Sequence, residues 1–186
     1  VKAPVIVCAP DMTISCDADR SPAGTGSATA TDNCSEAGSI AITFEDKNNG
    51  ALTDCAGSAG VILRVWTATD ECGNASTCEQ IITIVDEEIP NLICPPDVTL
   101  NCDQSIDPSI AGGSAIAADN CTATADIVIT YEDSNNGNLA ECGGNAGSII
   151  RTWKAVDACG NEATCQQKIT VKDDKAPVLT CAPDIT

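Results

Sequence analysis

The chain has 186 residues, a formal net charge of −18 from 9 basic and 27 acidic residues, 13 cysteines and no histidine. That charge repels polyanions, which argues against nucleic acid and anionic lipid as partners. Aromatic residues are 2% of the chain and Met appears once, so a core must come from Val, Ile, Leu and Ala around a single Trp per repeat.

In chain order, Val5 to Val7 and Met12 to Ser15 read as one edge strand broken at Pro10. Residues 17 to 26 are turn-forming, Ser27 to Thr31 is a second strand, and Ile40 to Glu45 is a third. Asn48-Asn49-Gly50 marks a turn, because Asn and Gly tolerate positive φ. A short strand is expected to run towards Cys55, followed by a loop over 56 to 60. Val61 to Thr69 and Thr77 to Val85 flank a Cys-Gly-Asn turn. Short strands, close-set turns and no helical period predict an all-β chain of tandem immunoglobulin-like β-sandwich domains.

The order then repeats. Pro4, Pro90 and Pro177 open matching segments, each continuing as C-x-P-D-x-T at Cys8, Cys94 and Cys181. Cysteines 8, 16, 34, 55, 72 and 78 map onto 94, 102, 121, 142, 159 and 165, with one residue inserted between Cys102 and Cys121. The expected domains are 1–88, 89–175 and the start of a third repeat at 176–186, as in a window on a longer array. No apolar run reaches the roughly eighteen residues of a membrane span, and an export signal is expected to lie outside the window.

The strand Ile149 to Val156 fixes which face is inside. Lys154 belongs in water, so Trp153, one residue out of phase, belongs in the core, and Trp66 takes the same place in the first repeat. Arg64 and Arg151 share that face, expected near its rim with the guanidinium at the surface or stacked on an aromatic ring.

Repeats of this size bury too little surface to be secure without covalent help. Six regularly spaced cysteines in each supply it and place the chain in an oxidising compartment. Zinc is disfavoured, since there is no histidine and no C-x-x-C pair. Six cysteines allow fifteen connectivities. Sandwich topology favours Cys34–Cys72 between loops at one end, Cys8–Cys78 between the first and last strands, and Cys16–Cys55 at the opposite end. The second repeat then has Cys121–Cys159, Cys94–Cys165 and Cys102–Cys142, about three disulfides in each domain.

The skeleton R-x-W-x-A-x-D-x-C-G-N-x-x-T-C, at Arg64 to Cys78 and again at Arg151 to Cys165, occurs with the C-x-P-D-x-T opening and a V-x-D linker. Together they resemble hyalin-repeat (HYR) and HYR-like modules. More narrowly, they resemble the cysteine-rich HYR-like repeats of giant cell-surface adhesins from gliding and predatory Bacteroidota. The resemblance covers the chain twice. It implies an immunoglobulin-like fold, extracellular location at the cell surface, type IX secretion, and a filament, stalk or adhesin role in attachment, gliding or prey capture. The implied partners are further repeats of the same chain, self-association into a filament, and host, prey or surface glycans or proteins. Two alternatives stand beside this: a glycan- or protein-binding module, for which only Phe44 and Tyr131 are available as aromatics outside the Trp pair, and accessory repeats of a secreted enzyme. No base–nucleophile pair is recognisable in the chain itself, so it is not read as an enzyme.

Calcium is the one cofactor the residues suggest. The linkers Asp86-Glu87-Glu88 and Asp173-Asp174 carry acids, and Asp119, Asp157 and Asn161 lie on loops expected to face the preceding linker. Oxygen ligands from both sides suit a hard divalent cation. The plainer reading is that Asp70 and Asp157 cap their turns by Asx hydrogen bonds. Glu45 to Gly50 and Glu132 to Gly137 faintly resemble calcium loops, but lack the distal Glu and read better as hairpin turns. Asn33, Asn74 and Asn120 match the N-glycosylation pattern, which has meaning only in a eukaryote.

Overall fold

The computed structural model describes residues 2–35, 38–47, 60–135, 147–173, 176 and 178–181. The chain is all-β. In the first repeat the strands are β1 (Val5–Val7), β2 (Met12–Ser15), β3 (Thr29–Thr31), β4 (Ala41–Asp46), β5 (Gly60–Thr69) and β6 (Ala75–Val85). The second repeat has β7 (Asn91–Ile93), β8 (Val98–Asn101), β9 (Ile116–Ala118), β10 (Val128–Asn135), β11 (Gly147–Val156) and β12 (Glu162–Lys172). A single helical turn, α1 (Pro22–Thr25), sits in the expected 17–26 loop, with Pro22 starting it where the missing N–H costs nothing.

Each repeat builds the same pair of sheets. A four-stranded sheet runs β2-β6-β5-β4, and a two-stranded sheet pairs β1 with β3; their counterparts are β8-β12-β11-β10 and β7-β9. The opening segment is therefore not one broken edge strand. The chain leaves β1, passes Ala9 and Pro10, and changes sheet before β2. Proline has no N–H for a ladder, so it belongs at such a crossing. After the crossing β2 runs parallel to β6, with Met12 opposite Ile82 and Ser15 opposite Val85.

The long hairpin β5–β6 alternates as its composition dictates. Ile62, Arg64, Trp66 and Ala68 are buried, and so are Gln80, Ile82 and Ile84 on the partner strand. Ile62, Ile82 and Ile84 pack with Met12 and Ile14. In the second repeat Leu100, Ala111, Ile149, Ile169 and Val171 form the matching cluster. Trp66 and Trp153 both face inward. Lys154 instead pairs with Glu162 at the surface, 2.6 Å apart.

The arginines are not at a rim. Arg64 and Arg151 are each 1% exposed. Each guanidinium lies over an aromatic ring, Phe44 at 4.6 Å and Tyr131 at 4.3 Å from the centroid. Cross-strand register explains the burial: Asp46 is opposite Arg64 and Phe44 opposite Trp66, so charge and ring arrive from the neighbouring strand. Asp46 and Asp133 are thus ion-pair partners rather than members of a calcium loop. The Asn48-Asn49-Gly50 turn, the strand towards Cys55 and residues 56–59 lie outside the described residues, as do Asn136 and Gly137.

The chain falls into two compact units. One comprises Val1–Pro90 with Asp119–Ile127 and Val156–Asn161; the other comprises Asn91–Ala118, Val128–Ala155 and Glu162–Thr186. Two loops of the second sequence repeat are therefore gathered with the first repeat.

Candidate functional site

Those two gathered loops carry the acids that matter. Asp157 follows β11 directly and opens the turn Asp157-Ala158-Cys159-Gly160-Asn161. Its Oδ1 accepts from the backbone N–H groups of Cys159 and Asn161, each at 2.8 Å, and its Oδ2 accepts from the Asn161 amide at 2.8 Å. Gly160 has φ of 88°, a conformation other residues reach only with strain. Asp119 works similarly in the other loop, where its Oδ1 accepts from the N–H of Cys121 at 2.9 Å and of Thr122 at 2.8 Å. The loops are tied together by the N–H of Ala158 donating to the Thr122 hydroxyl at 3.2 Å. The plain Asx-capping role thus exists, and it holds both carboxylates in place.

The third acid comes from the linker. Asp86 follows β6 directly and is 9% exposed. Carboxylate oxygens of Asp86 and Asp157 lie within 4.8 Å of each other, and so do those of Asp86 and Asp119. The Asn161 amide donates to the Asp86 carbonyl at 3.1 Å, clipping linker to loop. Among the described residues, Asp86 Oδ2 and Asp119 Oδ2 are buried without a hydrogen-bond partner. A buried carboxylate oxygen facing other carboxylates is costly unless a proton or a cation balances it. Burial, reinforced by the charges of Asp119, Asp157 and Glu88, pushes the Asp86 carboxyl above its ordinary range, while the N–H of Glu88 pulls the other way.

The donor set is hard. Cys121 and Cys159 border the cluster, but both are disulfide-bonded and offer no thiolate. Carboxylate oxygen without thiolate or imidazole suits Ca²⁺ or Mg²⁺ rather than a softer metal. Of the predicted ligands, the structure brings together Asp86, Asp119 and Asp157. Asn161 is beside them, its amide nitrogen donating to Asp157 Oδ2 and to the Asp86 carbonyl. Glu87 and Glu88 are exposed, Glu88 being close enough to act on Asp86 through charge. Asp173 is exposed at the end of β12, and Asp174 lies outside the described residues.

The first repeat has the same loop residues in Asp32, Asp70 and Asn74. Asp70 accepts from the Asn74 N–H and side-chain amide, both at 2.7 Å. These bonds, led by the Asn74 side chain, hold its carboxyl below the usual range.

Two of the proposed cysteine pairs form and others do not. Cys8 is bonded to Cys78 and Cys94 to Cys165, with Cα atoms 5.8 and 5.9 Å apart. Cys16, however, is bonded to Cys121. The proposed Cys16–Cys55 and Cys121–Cys159 pairs are therefore absent, and Cys34 and Cys72 are exposed thiols rather than a Cys34–Cys72 bridge. The reason lies in the gathered loops. Pairing inferred repeat by repeat assumes that each repeat closes on itself, whereas Cys121 sits on a loop that packs with the repeat carrying Cys16. Cys55 and Cys142 lie outside the described residues, which leaves Cys102–Cys142 as an expectation only.

One buried arrangement was missed. Gln80 is fully buried; its amide donates to the carbonyls of Pro10 at 2.9 Å and Thr25 at 2.7 Å, while its oxygen accepts from the Trp66 indole at 3.2 Å. It pins the sheet crossing and α1 to β6. Gln167 does the same for Pro96 and Ala111. The signal was available: a glutamine at the same inward phase as Ile82 and Ile84 in the first repeat, and as Ile169 and Val171 in the second.

No family model and no curated protein matches the chain. Among solved structures, it is similar to Drosophila N-cadherin EC1-4, at 16% identity with a TM-score of 0.45, covering 92% of this chain and 50% of that one. It is also similar to mouse protocadherin-24 EC1-3, at 15% identity and a TM-score of 0.41, covering 91% of this chain and 70% of that one. A third is mouse cadherin-23 EC22-24, at 14% identity and a TM-score of 0.43, covering 91% and 66%. This chain thus spans half the length of the N-cadherin fragment.

Proposed function

We propose that the chain is a structural segment of an extracellular array of HYR-like, immunoglobulin-fold repeats that serves as a cell-surface filament, stalk or adhesin. Asp86, Asp119 and Asp157 would hold a calcium ion that fixes each linker to the loops of the next repeat. The observation that carries this reading is Asp86, a buried linker carboxylate whose Oδ2 has no hydrogen-bond partner and which faces two loop carboxylates. The ion supplies positive charge where three negative groups meet, and the residues supply oxygen and position. A short acidic linker held in this way transmits load along the array instead of bending. Export by the type IX route and an origin in Bacteroidota belong to the same reading and rest on the sequence resemblance.

A ligand-binding module is a second reading with one feature in its favour. Tyr131 is half-exposed in a shallow depression with Thr130, Glu132, Thr152, Lys154 and Thr164, a mixture of ring and hydroxyl groups that suits a sugar. The deciding experiment is gold-antibody labelling of whole cells by electron microscopy. Rows of label along surface fibres support the filament. Label only in the medium, with none on fibres or envelope, removes it.

A further inference from the structure

We infer that Cys34 forms a disulfide to another repeat, and that its partner is the cysteine which there occupies the position of Cys16. The inference rests on reading the chain as part of an array. Its first ground is the bond already formed in this way, between Cys16 at the end of β2 and Cys121 on a loop of the following sequence repeat. The second is equivalence. Cys34 stands in the first repeat where Cys121 stands in the second, each preceded by Asp-Asn. The N–H of Cys34 donates to Asp32 Oδ1 at 2.9 Å, as that of Cys121 donates to Asp119 Oδ1 at the same distance. The next residue repeats the match, with the N–H of Ser35 at 3.1 Å and that of Thr122 at 2.8 Å from the same two oxygens. Two cysteines presented by the same loop geometry are presented for the same use. One is bonded; the other is an exposed thiol with the Asn33 amide against its sulfur at 3.2 Å.

The consequence is a covalent seam. Each repeat would give the cysteine after its second strand to the following repeat, and receive one on its Asp-Asn-Cys loop from the preceding repeat. The chemistry needs an oxidant, which we take to be a protein or small-molecule disulfide of the extracytoplasmic compartment. The Cys34 thiolate attacks that disulfide, forming a mixed disulfide and expelling one thiolate. The partner thiolate then attacks the Cys34 sulfur and expels the second. Two protein thiols lose two electrons and two protons, and the oxidant becomes two thiols.

The test is peptide mapping of the protein taken from its native surface assembly, with free thiols alkylated first and no reductant during digestion. The expected result is a Cys34 peptide joined to a peptide carrying the Cys16-position cysteine of another repeat, together with the Cys16–Cys121 pair. A denaturing gel without reductant shows whether the two repeats share one polypeptide. A Cys34–Cys72 peptide, or Cys34 found alkylated while Cys16–Cys121 is intact, overturns the inference and leaves the array reading standing. Loss of the array reading would appear separately, in the gold labelling. As a second measurement, Cys34→Ser in the purified chain should leave the melting temperature unchanged. A fall of several degrees would mean that Cys34 is a staple within its own repeat.

Discussion

Arg64 and Arg151 stand at equivalent positions and are equally buried, yet they are not equally served. Arg64 Nε and Nη2 grip Asp46 at 2.7 and 3.0 Å, Nη2 also donates to the Arg20 carbonyl at 2.7 Å, and Nη1 donates to the Thr25 hydroxyl at 2.6 Å. Arg151 holds Asp133 at 2.8 Å through Nε and Nη2 and the Ile106 carbonyl at 2.8 Å, but among the described residues its Nη1 is buried without a partner. The difference is one hydroxyl, because the residue standing where Thr25 stands is Ala111. The indole N–H of Trp153 and the side-chain oxygen of Gln167 are also without partners, whereas Trp66 and Gln80 bond to each other. At its acidic loops the second repeat has Asp119 and Asp157 beside the linker acid Asp86. The core of the first repeat is thus the better satisfied, and the loops of the second, with Asp86, gather three carboxylates.

The severest way to break this comparison is to remove the guanidinium. Arg64→Ala strips a partly buried carboxylate of its partner and leaves a cavity, at a cost of about 3 kcal/mol. The first repeat should then unfold in urea well before the second, splitting one transition into two. The loop half of the comparison is tested by calcium. At a concentration one hundred times the dissociation constant, binding should stabilise the purified chain by about 2.7 kcal/mol. Asp86→Asn should abolish that gain, and a chelator should leave the variant's melting temperature unchanged. If chelator leaves the parent chain unchanged too, there is no cation site.

A smaller effect sharpens the first half. Thr25→Ala should cost about 1.5 kcal/mol by leaving Arg64 Nη1 as bare as Arg151 Nη1. Ala111→Thr should return only about 0.5 kcal/mol, because the added atoms crowd a packed site. Gly112 follows directly, with φ of 91° and space so tight that a Cβ there would meet the Gln167 amide nitrogen at 3.0 Å. The smallest expected effect is on pH dependence. The Asp86 carboxyl is held above 3.8 in the folded chain, so between 3.8 and its folded value the native state binds the extra proton. Stability should therefore fall as pH rises through that window when no cation is present. Asp86→Asn should remove the fall, and saturating calcium should reverse it.

Much of this architecture could be read from the chain itself. The repeat, the β-strand pattern and the inward tryptophans follow from spacing and alternation, while Asp86, Asp119 and Asp157 are three of the eight candidate ligands that linker charge and loop position pick out. What escaped depends on contacts distant in sequence. The burial of Arg64 depends on Asp46, 18 residues away and fixed only by the β4–β5 register. The sheet change at Pro10 depends on Gln80, 70 residues later. The Cys16–Cys121 bond escaped because composition says nothing about which repeat a loop will pack with.

The parallel pairing of β2 with β6 also governs the order in which the molecule is made. β2 has no ladder partner until β6 exists, so the four-stranded sheet cannot be completed before residue 85 has been made. Such pairings are slow to form, because most of the loop entropy is lost before the contacts that compensate for it. During that interval Cys8 waits for Cys78, 70 residues behind it. A nascent chain of this design is therefore exposed to wrong disulfides at its leading end, and its correct folding depends on how fast each repeat is delivered relative to how fast its thiols are oxidised.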